Sequence, residues 1–214
     1  MKIFNLPKST EFGRVIPKNA FDKHTNTKQK KEMSTFIQRI TWSNKLSTET
    51  TNLPKKVINE VQVFTIELKI KNDLKQTLVI INRAIPYHLV FVLQYQDEIL
   101  ISTAVKHNHL QKLNETVIDC TFQTDWFKAS KNSIELILSE SLDFTFIHLC
   151  NQISGRKKTY KNYSDFVSTE VEKSDFLSRI NYLQRQIKSE KQFNKRVELN
   201  MELIKLQQEL SAMD

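Results

Sequence analysis

Glycine is nearly missing from this chain: 214 residues contain two, Gly13 and Gly155. Ordinary proteins carry about 7%. A P-loop needs G-x-x-x-x-G-K-[ST], and a dinucleotide fold needs G-x-G-x-x-G. In both, bare backbone must approach phosphate with no side chain in the way. Two isolated glycines build neither loop, nor the glycine-rich loop of a typical methyltransferase, and no cofactor is expected. Cysteine is also scarce. Cys120 and Cys150 do not make a disulfide framework. No run of 18 or more apolar residues exists, so no helix should span a membrane. The opening MKIFNLPKSTEFGR lacks an apolar signal core. The expectation is a cytoplasmic protein with no membrane partner.

What the chain does have is positive charge in one place. The formal net charge is +8. Residues 1–56 hold 12 Lys+Arg against 4 Asp+Glu, residues 57–174 hold 13 against 14, and residues 175–214 hold 7 against 6. The excess therefore lies in the first quarter. A localised positive field suits a polyanion or an acidic protein surface. The candidate nucleic-acid-binding residues are Lys8, Arg14, Lys18, Lys23, Lys28, Lys30, Lys31 and Arg39. The plainer reading is a solvated, lysine-rich face. Aromatics are sparse there (Phe12, Phe21, Phe36, Trp42), so a stacking platform for single strands is not evident.

The length suits one domain plus an appendage, or at most two small domains. Residues 1–25, with Pro7 and Pro17, read as an extended arm with a helical turn near Lys18–Asp22. Asn26 or Thr27 caps a predicted helix through about Trp42, with Met33, Phe36, Ile37 and Ile40 on one face. Ser43–Lys56 reads as a loop. Val57–Leu68 has a strand pattern. Asn72 or Asp73 caps a helix whose stripe is Leu74, Leu78, Ile81 and Ile85, ended by Pro86. Tyr87–Tyr95, a nearly continuous apolar run, suits a strand covered on both faces. After a turn at Asp97, Ile99–Lys106 and Val117–Phe122 read as strands, and Ser133–Leu138 as another. Ser139 or Ser141 caps a helix carrying Leu142, Phe146, Leu149 and Ile153. The predicted fold class is α+β: a central mixed sheet with flanking helices over residues 1–153, its basic arm at 1–56. A linker at 154–173, partly helical at its end, and a C-terminal amphipathic helix or helical hairpin at 174–214, capped by Ser174, complete the chain.

Residues 175–212 contain neither Gly nor Pro. Leu177, Ile180, Leu183 and Ile187 form one stripe; Leu199, Leu203, Leu206 and Leu210 form a second, widened by Val197, Met201 and Ile204. KSEKQFNKR, the stretch between them, is polar apart from Phe193 and is where a hairpin would break. Such a helix gains most of its stability by burying its apolar face. Leu199, Leu203, Leu206, Leu210, Val197 and Ile204 are therefore the candidate partner-binding residues, with back-packing on the chain's own domain as the alternative. Asn200 is placed to fix a register or simply to face water.

No catalytic set stands out. Glu67 and Lys69 form the E-x-K half of a PD-(D/E)xK metal-dependent nuclease site, in which the carboxylate holds the ion and the lysine stabilises developing charge. The other half is lacking: no Asp lies between Asp22 and Asp73, and Glu60 is only seven residues upstream. An ordinary charge pair at a strand end is the plainer reading. His107 and His109 are spaced to share one strand face, but zinc needs three or four ligands, so no metal is expected. His88 reads as a core histidine. His148 and Cys150, two apart on a helix, do not share a face. Thr124-Asp125-Trp126 reads as a capped turn, with Asp125 accepting backbone N–H groups and Trp126 anchoring the core.

Several strings carry a family resemblance: FNLPKSTE at 4–11, IPK at 16–18, ITW with NKL at 40–46, IPYH at 85–88, TDWF at 124–127 and EKQFNKRVELN at 190–200. Together they resemble the domain of unknown function 4391 family of bacteria and archaea, over nearly the whole chain. The resemblance implies a setting beside DNA methyltransferases and helicases in restriction-modification or phage-defence loci. It implies no catalytic residues. The expected function is a non-catalytic accessory subunit of such a system. Its C-terminal helix would meet a protein partner, either the methyltransferase or helicase subunit or a second copy. DNA is the candidate for the basic region. A metal-dependent nuclease and a homo-oligomeric scaffold are the alternatives.

Overall fold

A computed structural model describes residues 3–108 and 116–213. The chain divides into two compact units, Met1–Lys157 and Lys158–Asp214.

The first unit is a sheet with strand order β1-β2-β3-β4-β5-β6. The strands are β1 (Glu11–Ile16), β2 (Ile37–Ser47), β3 (Glu60–Leu68), β4 (His88–Tyr95), β5 (Glu98–Asn108) and β6 (Thr116–Gln123). A two-residue β7 (Phe127–Lys128) pairs with the start of β5. Among the described strands only β3 and β4 run parallel; the other pairs are antiparallel. That one parallel pair needs a crossover, and α3 (Lys75–Ala84) supplies it. The remaining helices of this unit are α1 (Thr27–Phe36), the short α2 (Thr48–Thr51) and α4 (Leu142–Ser154), with a 3-10 turn at Lys18–His24.

Alternation along each strand sorts side chains to two faces. Phe64, Ile66, Leu68, Leu89, Phe91, Leu93 and Leu100 form one core with Phe21, Met33 from α1, Leu74 just before α3, and Leu78 and Ile81 from α3. His88 points to the opposite face and meets Phe146 of α4 edge-on, centroids 4.7 Å apart. Helices thus cover both faces of the sheet.

Asn26 caps α1 in a reciprocal box with Gln29, and Ser141 caps α4 by accepting from Phe144 N–H. Gly155 ends α4 at φ +68°, with its N–H on Gln152 O and Arg156 N–H on Asn151 O, the left-handed stop that glycine tolerates. The stripe Leu74, Leu78, Ile81 is buried as its spacing predicts. Neither Asn72 nor Asp73 occupies the cap position, which is Leu74; Asn72 Oδ1 instead accepts from Leu74 N–H at 2.8 Å.

Four readings need correction. The helix from Asn26 stops at Phe36, and Ile37–Ser47 is a strand. The polar loop read over Ser43–Lys56 accordingly starts inside β2 and includes α2. Ser133–Leu138 forms no strand. Its backbone groups go to side chains instead: Glu135 N–H to Gln152 Oε1, Glu135 O from Gln152 Nε2, and Ile137 O from Thr145 Oγ1. Finally, the helical end of the linker at 154–173 is the start of α5 (Tyr163–Ser189), which runs on past residue 173, so Asn162, not Ser174, is its cap.

The second unit is a helical hairpin. α5 breaks at Glu190–Gln192 and α6 (Phe193–Ser211) follows. Ile180, Leu183 and Leu206 are its buried centre, with Phe176, Leu199, Leu203 and Leu210 packed on them.

β1 lies at the sheet margin with Phe12 and Val15 exposed. Its pairing with β2 shifts register between Glu11 and Arg14, around Gly13 at φ +64°.

Candidate functional site

The charge-rich sequence of residues 18–36 folds into the 3-10 turn and α1, and these pack with α3 into one helical layer. Residues 18–36 and 75–84 together hold seven Lys+Arg and two acidic residues. The layer therefore carries a cationic surplus on one face of the sheet.

Its cations are not equivalent. Lys18 Nζ donates to Ile37 O at 2.7 Å and Lys69 Nζ to Ser34 O at 2.8 Å, so both serve the carboxyl end of α1, where positive charge is favoured. Burial, with Lys69 nearby, holds the Lys18 ammonium below its ordinary pKa. Lys30 pairs with Asp22 at 3.1 Å. Lys23, Lys28 and Lys31 are exposed in the layer. The other predicted cations lie outside it: Lys8 in a 3-10 turn before β1, Arg14 on β1, and Arg39 on β2. Lys8 and Arg14 are exposed.

A cleft of about 600 Å³ opens in this layer. Lys23, His24 and Thr25 line it from the end of the 3-10 turn, Asn26 and Gln29 from the start of α1. Ile80 and Arg83 come from α3, Thr116 and Val117 from β6. Among the described residues the formal charges in that lining, Lys23 and Arg83, are positive. Of these residues only Lys23 stood out in the sequence. Arg83 and Thr116 are far from it along the chain, and the β3-α3-β4 crossover and the return of β6 bring them in.

Beneath the cleft sits a lysine that sequence reasoning passed over. Lys106 of β5 is buried and donates to Asn82 O at 2.8 Å and Ile85 O at 2.6 Å. Thr116 Oγ1 also donates to Asn82 O, at 2.8 Å. These donors satisfy carbonyls at the carboxyl end of α3 that the helix cannot satisfy itself, and so fix the turn that carries Arg83. Burial lowers the Lys106 pKa to about 7. Burial, then the Lys106 charge, lowers His88 to about 3, so His88 is a neutral packing residue. A single lysine closing the apolar run ILISTAVK was the available signal.

The nuclease half-site is not assembled. Arg39 Nε donates to Glu67 Oε1 at 2.9 Å, a cross-strand pair. Glu60 pairs with Lys45 at 3.2 Å; seven positions along one strand put it on the opposite face from Glu67. Among the described residues no three His, Cys, Asp or Glu side chains converge to hold a metal. His107 is exposed and meets Asp119 at 3.0 Å; His109 lies outside the described residues. At 124–126 the capped-turn reading is replaced by a bond to β5: Thr124 Oγ1 accepts from Ile101 N–H at 3.0 Å, and Thr124 N–H donates to Ile101 O at 3.0 Å. Trp126 packs on the core, and Lys71 sits 5.2 Å from its ring centroid.

The predicted partner-binding residues separate into two groups. Leu199, Leu203, Leu206 and Leu210 enter the hairpin's own seam. Val197, Met201 and Ile204 are exposed, together with Phe193. At about 100° per residue, the exposed four fall in one arc about 80° wide, centred roughly 145° from the leucines. Asn200 is exposed and donates to Arg196 O within its own helix.

No described helix is long and apolar enough to cross a membrane. Neither the curated proteins nor the solved structures contain a match to this chain. A family model matches from Phe4 to Leu210, taking in both the sheet unit and the hairpin. The chain, residues 4–210 of it, belongs to the family described as domain of unknown function (DUF4391).

Proposed function

We propose that this protein is a non-catalytic accessory subunit of a prokaryotic DNA methyltransferase or helicase system. It contacts DNA through the helical layer of α1 and α3 and a protein partner through the outer stripe of α6. The observation that carries the reading is the surplus of seven cations over two acids in that layer. Lys23 and Arg83 line the cleft, and Lys28 and Lys31 are exposed on α1. Phosphate neutralisation by such side chains supplies sequence-independent affinity. The family resemblance supplies the setting. The exposed Phe193, Val197, Met201 and Ile204 support the protein contact, since a second apolar stripe on an already packed helix is costly to leave wet.

The test is fluorescence anisotropy with a labelled 20-base-pair duplex across a salt series. Lys28→Gln with Lys31→Gln should weaken binding and reduce the log–log salt slope by about 1.8, two contacts at roughly 0.9 each. An unchanged slope removes DNA from the reading. Salt-insensitive self-assembly without any DNA shift would replace it with a homo-oligomeric scaffold.

A further inference from the structure

We propose that the cleft between the amino end of α1, α3 and β6 binds a phosphate monoester of nucleotide size. The inference deepens the DNA-contact reading by assigning a ligand class to one part of the same face. It rests on a separate count of donors and acceptors.

Lys23 and Arg83 can only donate. The amides of Asn26 and Gln29 are turned by the capping box: Asn26 Oδ1 accepts from Gln29 N–H and Gln29 Oε1 from Asn26 N–H, both at 2.9 Å. Their oxygens face backbone, so their NH₂ ends are what remain for a ligand. Among the described residues no carboxylate lines the cleft. Two cations and two amide donors in one concavity call for an anion rich in acceptor oxygens. The hydroxyls complete the pattern. Thr25 Oγ1 donates to Phe21 O and Thr116 Oγ1 to Asn82 O, so both offer only lone pairs, which suit the hydroxyls of a sugar.

Size argues against inorganic phosphate as the whole ligand. The volume of about 600 Å³ lies within the roughly 300–1,000 Å³ of small-molecule sites. Ile80 and Val117 add an apolar wall for a flat or aliphatic group attached to the phosphate. A free nucleotide and the phosphorylated end of a nucleic-acid strand both present that chemistry.

Isothermal titration of the full chain with 5′-dAMP, deoxyadenosine and inorganic phosphate tests the site. The expected result is that 5′-dAMP binds at least tenfold tighter than either of the other two. Lys23→Gln and Arg83→Gln should each weaken 5′-dAMP by at least tenfold, with unchanged near-UV circular dichroism, while Lys28→Gln leaves it unaltered. Competition by a short oligonucleotide only when it is 5′-phosphorylated identifies a strand end as the source; no competition identifies a free nucleotide. Equal binding of nucleoside and nucleotide, no binding of 5′-dAMP, or indifference to both substitutions overturns the proposal. Failure of the unsubstituted chain to bind 5′-dAMP while it binds the duplex sinks this inference alone; 5′-dAMP binding without duplex binding sinks only the DNA-contact reading.

Discussion

Lys106 carries a pH dependence that can be worked out from its surroundings. Its pKa in the fold is about 7, lowered by burial, while an unfolded lysine titrates near its ordinary value of about 10.4. Between those values the unfolded chain binds the extra proton, so stability rises with pH. Denaturant unfolding from pH 7 to 10 should show that rise, and Lys106→Met should remove it. His88 acts on the acid side. Its pKa of about 3 against about 6.5 unfolded means that stability falls as pH drops through that window, and His88→Leu should flatten that limb. Deleting the Lys106 ammonium also strips two carbonyls of a donor. At this strand position the lysine therefore does what an apolar residue could not.

Elements with one clean period were readable: β3, β4, β5, β6, α3 and α4 follow their apolar spacing. The α1–β2 boundary was not, and a bulge is the reason. Ile37 pairs with Leu68 and Arg39 with Glu67, so one extra residue enters β2 between them. The extra residue returns Ile37 and Ile40, three apart, to one face, and both are buried in the same core. A spacing of three is what a helix shows. Ser133–Leu138 failed for a different reason. Its alternation is real, with Ile134 and Leu136 buried, but alternation does not say whether a neighbouring strand or the side chains of α4 will take its backbone bonds. The hairpin separates seam from outer stripe, which gives a paired prediction. Leu206→Ala should cost about 2–5 kcal/mol through lost burial and a cavity, seen as reduced helical circular dichroism. Ile204→Gln, on the exposed stripe, should leave helicity within about 0.5 kcal/mol of the parent while weakening capture of the protein partner.

For the molecule as a whole, charge and stability pull apart. The positive surplus gathered on one face repels itself, and its exposed lysines offer little packing in return. Replacing Lys23, Lys28 and Lys31 with Gln should leave the melting temperature equal or higher while DNA affinity falls. A melting temperature lowered by more than a few degrees would mean that these side chains hold the fold together. The location of that charge was legible from the first 56 residues. The cleft was not, because Arg83 and Thr116 carry no local pattern linking them to Lys23; only the crossover of the sheet joins them. The sheet margin has its own consequence. An unbroken outermost strand is a template on which further copies can stack into fibres. At β1 the register shift around Gly13 interrupts the row of unpaired amides and carbonyls, so the rim that is easiest to reach is a poor seed for amyloid-like growth when many copies crowd together.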